Sequence, residues 1–370
     1  MSAAFGVVLA LAFLLAYANG ANDVSRGIAT LVGSGVTDFR RAILWGTAWT
    51  VAGGLFAAAA SQGLVATFSG KGFLAAPMAS PAFLGSICLG AVAWVLFAAR
   101  VGLPVSTTHS IVGALAGAAV MAQGFAGLHW AFVAKKVALP LLLSPALALL
   151  VIYALFPLIR PLLARVDRYC LCLERRVTIT AAGAVAFQAT GFETPVTGEE
   201  EACAASPAVA GRLNFLDGLH WVSAGATSFA RAFNDTPKIV ALGLAASVLF
   251  GAAPFTFYAG VALAMGLGSV VAGFRVTQTL ACRVTPMSHT EGFSANLVTS
   301  LLVGLASTQG LPVSTTHVSS GAIIGIGLHR GSRTVRWGTV RDMAIAWLVT
   351  LPVTALVAAA SYALLSHRLG

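Results

Sequence analysis

Two pairs of motifs in this 370-residue chain place reactive side chains inside otherwise apolar sequence. The first pair is Asn22-Asp23, with Arg26 three positions after the acid, and Asn234-Asp235, with Lys238 three positions after the acid. Acidic side chains in apolar spans are expensive, so they usually line an ion path or pair internally. Asn and Asp supply hard oxygens suited to sodium, and a carboxylate can alternatively carry a proton. The i,i+3 spacing puts each acid and base on one helix face, where the cation either neutralises the acid or faces an anion. Arg26 is open to both roles, because its guanidinium fork matches two oxygens of an oxyanion; for Lys238 the salt bridge is the expectation. Glu291, beside His289, is a weaker third acid.

The second pair is more distinctive. Gly102-Leu103-Pro104-Val105-Ser106-Thr107-Thr108-His109 returns residue for residue as Gly310-Leu311-Pro312-Val313-Ser314-Thr315-Thr316-His317, and a glycine, Gly113 or Gly321, follows each histidine by four positions. Each copy is a Gly-Pro break followed by small and apolar residues with the spacing of a short helix. Ser and Thr are good N-caps, and a helix N-terminus offers unpaired N–H groups and partial positive charge to an anion. The hydroxyls of Ser106, Thr107, Thr108, Ser314, Thr315 and Thr316 both donate and accept, so two facing copies can surround a small tetrahedral oxyanion. Irregular backbone is tolerated at membrane depth where it lines a protein-enclosed cavity, as in a re-entrant hairpin. Small hydroxyl residues are also ordinary packing groups between membrane helices, but duplication of the whole octet argues for more than packing. His109 and His317 are expected as neutral rings bonded to backbone carbonyls.

The elements that must hold these groups are written for lipid. The chain is 58% hydrophobic and 9% charged, where soluble domains carry roughly 25% charged residues. Stretches 3–21, 42–61, 81–99, 137–159 and 343–365 approach or exceed the ~20 apolar residues that cross a bilayer. The first lacks a basic leader region and runs into Asn22-Asp23, so it is expected to be a retained helix. The formal charge of +10 is concentrated at Arg160, Arg165, Arg168, Arg175 and Arg176 after one span, and at Arg330, Arg333, Arg336 and Arg341 between two others. That pattern fits cytoplasmic loops against an anionic membrane rather than nucleic-acid binding. Five cysteines lack metal-ligand spacing and are expected to be buried or loop thiols.

The motifs recur in order. Asp23 precedes Ser106 by 83 positions and Asp235 precedes Ser314 by 79. The chain therefore divides into a first transmembrane repeat, 1–164, a polar linker, 165–215, with Glu193, Glu199, Glu200 and Glu201, and a second repeat, 216–370. Asp38, Arg40 and Arg41 follow the first Asn-Asp helix, whereas the corresponding turn at 251–254 has no charge, as for halves of opposite orientation; Lys135 and Lys136 blur this asymmetry. Repeated halves with a site between them at the midplane are a plan of secondary transporters. A Ser, His and Asp from these motifs also have the types of a hydrolytic triad, but a triad needs one nucleophile and the duplication provides two equivalent sets. The chain is therefore read as no enzyme.

These residues resemble the inorganic phosphate transporter family, which moves phosphate with sodium or protons and includes sulfate permeases. Gly20-Ala21-Asn22-Asp23-Val24 is similar to its Gly-Ala-Asn-Asp-Val-Ala-Asn signature, Phe233-Asn234-Asp235 to the second-half counterpart, and both Pro-Val-Ser-Thr-Thr-His segments to its paired hairpins. The resemblance implies an all-α membrane fold of two inverted-topology repeats, each with a re-entrant helical hairpin, with roughly 10–12 membrane segments. It implies phosphate held by Ser106, Thr107, Thr108, Ser314, Thr315 and Thr316; Arg26 is added as a substrate contact by the chemistry of its guanidinium, not by the resemblance. It implies a coupling sodium or proton at Asn22, Asp23, Asn234 and Asp235, these four being the metal ligands if the ion is sodium. The expected partners are phosphate, with sulfate as the alternative, and the bilayer of the cytoplasmic membrane; no cofactor is implied, and a homodimer is left open. One departure stands out: the second Asn of each family signature falls at Arg26 and at Lys238. A fixed cation there can take the place of a bound sodium, so proton coupling stands level with sodium.

Overall fold

The computed structural model describes residues 2–76, 78–174, 177–179, 185–187, 194–199 and 209–369. Helices dominate. The first half comprises α1 (Ser2–Asp23), α2 (Ser25–Gly33), α3 (Phe39–Ala60), α4 (Gln62–Phe68), α5 (Pro81–Val101), α6 (Thr107–Gln123) and α7 (Leu139–Val166), the last entered through a π-helical run, Val133–Ala138. The second half comprises α8 (Phe215–Leu249), α9 (Pro254–Ala272), α10 (Phe274–Cys282), α11 (His289–Thr308), α12 (Thr315–Arg330) and α13 (Trp337–Leu369). Among the described residues, six helical stretches are long and apolar enough to cross a membrane: Ala3–Gly33, Phe39–Ala60, Pro81–Val101, Trp130–Val166, Pro254–Ala272 and Trp337–His367. They cover all five stretches picked out by apolar run length, except that the second ends at Ala60, one residue short of 61. The motif-bearing helix α8 is not one of the six, consistent with the charges it carries.

Local signals explain several boundaries. The Asp38 carboxylate accepts the Arg41 amide at the start of α3, and the Asn214 amide oxygen accepts the Leu216 and Asp217 amides at the start of α8. Helix α5 starts at Ser80-Pro81 and stops at Gly102, whose φ of 76° is left-handed. There the Leu103 amide reaches back to the Ala98 carbonyl and that of Gly102 to Ala99, closing a Schellman turn. The end of α11 repeats this around Gly310, φ 67°, with Leu311 bonded to Ala306 and Gly310 to Ser307. Each octet therefore opens on a turn that stops one helix and aims the chain into the next.

Packing interlocks the halves. Helix α1 lies against α9, and α8 lies against α3; the long closing helix of each half crosses to the other, α13 packing on α5 and α6, and α7 on α11 and α12. The glycines four positions after each octet histidine make the contacts of both closing helices close. A Cβ at Gly113 would stand 2.5 Å from the Leu351 carbonyl oxygen of α13, and one at Gly321 2.3 Å from the Pro145 carbonyl oxygen of α7.

The all-α expectation needs one correction. Between α7 and α8 lie β1 (Tyr169–Glu174), β2 (Val177–Ile179), β3 (Val185–Phe187), β4 (Thr194–Glu199) and β5 (Val209–Asn214), forming an antiparallel sheet of order β4-β1-β5 and a two-stranded β2-β3 pair. Segments of six residues or fewer are too short to hold a helix by themselves, and pairing satisfies their backbone instead. Arg175, Arg176, Glu193, Glu200 and Glu201 lie outside the described residues. Cys170 of β1 is disulfide-bonded, contrary to the free-thiol expectation, whereas Cys88 and Cys282 are free.

Candidate functional site

The four motifs meet in one buried cluster. Asn22 and Asp23 end α1, and the chain stays right-handed helical at Val24 (φ −55°, ψ −32°) as it runs into α2, which brings up Arg26. Asn234, Asp235 and Lys238 lie in the middle of α8. Ser106 and Ser314 are the N-caps of α6 and α12; their hydroxyls accept the amides of His109 and His317, each at 3.2 Å. All of these residues, with Thr107, Thr108, Thr315 and Thr316, are buried.

Both cations form the i,i+3 salt bridge that their spacing allows, Arg26 to Asp23 and Lys238 to Asp235, each at 3.0 Å. They also do more. The Arg26 guanidinium lies within hydrogen-bond distance of five oxygens: Asn22 Oδ1, Asp23 Oδ1, Ser25 Oγ, the Val105 carbonyl and Thr316 Oγ1. The Lys238 ammonium faces four: Asn234 Oδ1, Asp235 Oδ1, Thr108 Oγ1 at 2.6 Å and the Val313 carbonyl. The two cages match. Each contains the Asn and Asp of its own half, the valine carbonyl of its own octet, and the second threonine of the opposite octet, and the Arg26 cage adds Ser25.

The octets are also tied directly to each other. Thr316 donates to the Val105 carbonyl at 2.8 Å, and Thr108 to the Val313 carbonyl at 3.3 Å. The histidine rings stand 4.6 Å apart between centroids. His317 Nδ1 contacts the Leu141 carbonyl at 3.2 Å, as expected for a neutral ring, but His109 Nδ1 contacts Ser106 Oγ at 2.9 Å rather than a carbonyl. The reason is local: the N-cap hydroxyl stands within reach of the ring one turn in. Thr107 donates to Asp23 Oδ2 at 3.1 Å, whereas among the described residues Thr315 makes no such bond to Asp235.

Two site residues escape motif reading. Asn19 Nδ2 donates to Asp23 Oδ2 at 2.8 Å and to Asp235 Oδ2 at 3.2 Å, linking the two carboxylates. Its oxygen accepts from Arg231 Nη1 at 3.0 Å, and Arg231 Nη2 donates to Thr50 Oγ1 at 2.5 Å. Both positions stand three residues before an Asn-Asp pair, and that shared offset was the available signal. Glu291, by contrast, belongs elsewhere. It completes a capping box with Ser288 at the start of α11 and pairs with Arg330 at 3.4 Å.

Chemically, the arrangement is a desolvated cluster of opposed charges that joins both halves through hydroxyls and carbonyls. Its helix N-termini and cations suit an oxyanion, and its carboxylates suit a proton or a cation.

Comparison with known proteins agrees with this chemistry. Residues 19–358 match the phosphate transporter family. The chain is 26% identical over 364 residues to a Rhizobium meliloti (strain 1021) protein named "Probable low-affinity inorganic phosphate transporter", covering 96% of this chain and 94% of that one. It is 28% identical over 419 residues to the chloroplastic inorganic phosphate transporter 2-1 of Arabidopsis thaliana, covering 95% and 70% respectively. A solved structure titled "The sodium-dependent phosphate transporter" has a TM-score of 0.77 to this chain at 23% identity, covering 99% of this chain and all of that one, and so shares its fold.

Proposed function

The chain belongs to the phosphate transporter family, and we propose that it is a secondary active transporter of inorganic phosphate across the cytoplasmic membrane, coupled to an ion gradient. The observation that carries this reading is the cross-half bonding of the two cations, Arg26 to Thr316 and Lys238 to Thr108. A bound oxyanion competes for the same donors and hydroxyls, so binding it loosens one set of ties between the halves and makes another. That is the differential contact that alternating access requires. On this reading Ser106, Thr107, Thr108, Ser314, Thr315, Thr316 and Arg26 hold the anion. The octets form the tips of two re-entrant hairpins, and the halves, 1–164 and 216–370, are inverted repeats joined by 165–215.

The coupling ion is sodium or a proton at Asn22, Asp23, Asn234 and Asp235. The two oxygen cages already hold side-chain cations, which favours the proton, with Asp23 or Asp235 as its carrier. Uptake of labelled phosphate into proteoliposomes under separately imposed sodium and proton gradients tests this. A proton gradient alone is expected to drive accumulation, and accumulation that needs sodium overturns the proton assignment. Accumulation of labelled sulfate where labelled phosphate is not accumulated overturns the substrate.

A further inference from the structure

Five charged side chains are buried in the cluster: Asp23 and Asp235 against Arg26, Lys238 and Arg231. Two of the cations are matched by carboxylates. Arg231 is not. It is fully buried, its partners Asn19 and Thr50 are neutral, and its Nε has no partner among the described residues. Arginine does not deprotonate in proteins. Lys238 faces four acceptors and no donor, which requires the ammonium form. Of the remaining titratable groups facing the cluster, His109 of α6 and His317 of α12 stand 4.6 Å apart between ring centroids, close enough that a charge on both is disfavoured, and His317 directs Nδ1 at the Leu141 carbonyl. With both imidazoles neutral and both carboxylates ionised the centre holds one surplus positive charge. An ionisable group at membrane depth is functional by default, and a buried charge without its partner is far more costly than a pair.

The surplus is specific to one half. Arg231 occupies the position that corresponds to Asn19, three residues before the motif, so strict duplication calls for a neutral amide there. Asn19 also connects Arg231 to both carboxylates, which places the extra charge within the substrate cluster rather than beside it.

We propose that Arg231 is the fixed counter-charge of the transported anion, so that the protein reorients quickly only when loaded and exchanges phosphate faster than it transports it in net. This rests on the phosphate reading above. Dihydrogen phosphate brings one negative charge, and hydrogen phosphate with a proton on one carboxylate brings the same sum; either neutralises the centre. In the closed intermediate between the two access states the loaded centre is neutral, whereas the empty centre carries a desolvated charge. The return of the empty carrier is the slow step.

The test uses the full-length protein in proteoliposomes filled with labelled phosphate, with efflux measured into buffer with or without unlabelled phosphate. External phosphate is expected to speed efflux at least about tenfold, the factor given by ~1.4 kcal/mol on the return barrier. An inside-negative potential is expected to speed net efflux, by drawing the empty, positive centre inward, and to leave exchange unchanged. Arg231→Lys keeps the acceleration; Arg231→Asn, which makes the position match Asn19, loses it. Equal wild-type efflux in the two buffers, or exchange that follows the potential as net efflux does, overturns the proposal, and neither readout depends on a variant folding. Acceleration that persists in Arg231→Asn removes Arg231 from the role. Wild-type protein that moves no labelled phosphate in either buffer is a different result, because it overturns the phosphate reading itself.

Discussion

In the first half the helical bonding is interrupted at Val24, between the aspartate and its cation, although Val24 keeps right-handed helical dihedrals (φ −55°, ψ −32°), while in the second the equivalent stretch is one helix, Phe215–Leu249, through Pro237. At the interruption, Ser25 donates to the Asn22 carbonyl at 2.9 Å and also contacts Arg26. At the corresponding place Pro237 has no N–H to offer, so the helix interior loses a bond without ending. The cations differ in the same sense. A planar guanidinium spreads over five oxygens, and a single ammonium draws four around one nitrogen. Asp23 receives bonds from Arg26, Asn19 and Thr107, and Asp235 from Lys238 and Asn19. Duplication has kept the cross-half geometry and let the charge drift apart. The contacts between halves match, Arg26 to Thr316 and Lys238 to Thr108, whereas the charges do not, since Arg231 stands where the first half has Asn19.

The strongest way to break this comparison is to remove one acid at a time. Asp23→Asn and Asp235→Asn each leave a buried cation without its counter-ion, a loss of about 3–5 kcal/mol. Each is expected to abolish concentrative phosphate uptake while the protein stays in the membrane fraction. Normal accumulation by either variant would show that its half contributes no coupling group. Next come the cations. Arg26→Asn and Lys238→Asn empty the matching cages and restore the amide of the family signature, so uptake in each is expected to become sodium-dependent, read as the ratio of initial rates with and without sodium. A ratio near one in both variants separates the cages from ion coupling.

The packing contacts sharpen the comparison at a smaller scale. Gly113→Ala and Gly321→Ala each force a Cβ against a carbonyl of the opposite half's closing helix, an overpacking cost of about 1–3 kcal/mol. Similar falls in thermal midpoint are expected, because the two contacts are equivalent; a fall in only one variant would mark that crossing as the tighter. The smallest effect belongs to the cross-half hydroxyls. Thr316→Val and Thr108→Val each remove a hydrogen bond to a charged group, a loss of ~1.5–3 kcal/mol from the cluster that is only partly expressed in substrate binding. Each is expected to weaken phosphate affinity, by up to about tenfold, which 1.4 kcal/mol represents. Unequal losses would show which cation the anion meets first.

Much of this was legible without coordinates. Apolar run length marked five membrane-crossing stretches because the bilayer imposes a length and helices satisfy their backbone internally. The i,i+3 spacing placed each acid and base on one helix face, a property of a single helix, which made the Lys238 salt bridge the expectation and left Arg26 open to either role. Gly102 and Gly310 marked the turns before α6 and α12, because a left-handed φ is local too. Glu291 shows the opposite case: as an acid in apolar sequence it resembled a site residue, but the serine three positions before it was the better clue, and the pair caps a helix.

The sequence by itself thus determined the duplicated motifs, the chemistry each copy offers, and the partners each side chain finds within one helix turn. Only the tertiary structure decided that Arg26 meets Thr316, that Lys238 meets Thr108, that the closing helices cross between halves, and that Arg231 joins the cluster through Asn19. The physical reason is separation along the chain. Hydrogen bonds over three or four residues follow from helix geometry, whereas those between residues more than a hundred positions apart depend on how whole helices pack. A repeat announces that two copies exist, and packing decides what each copy touches.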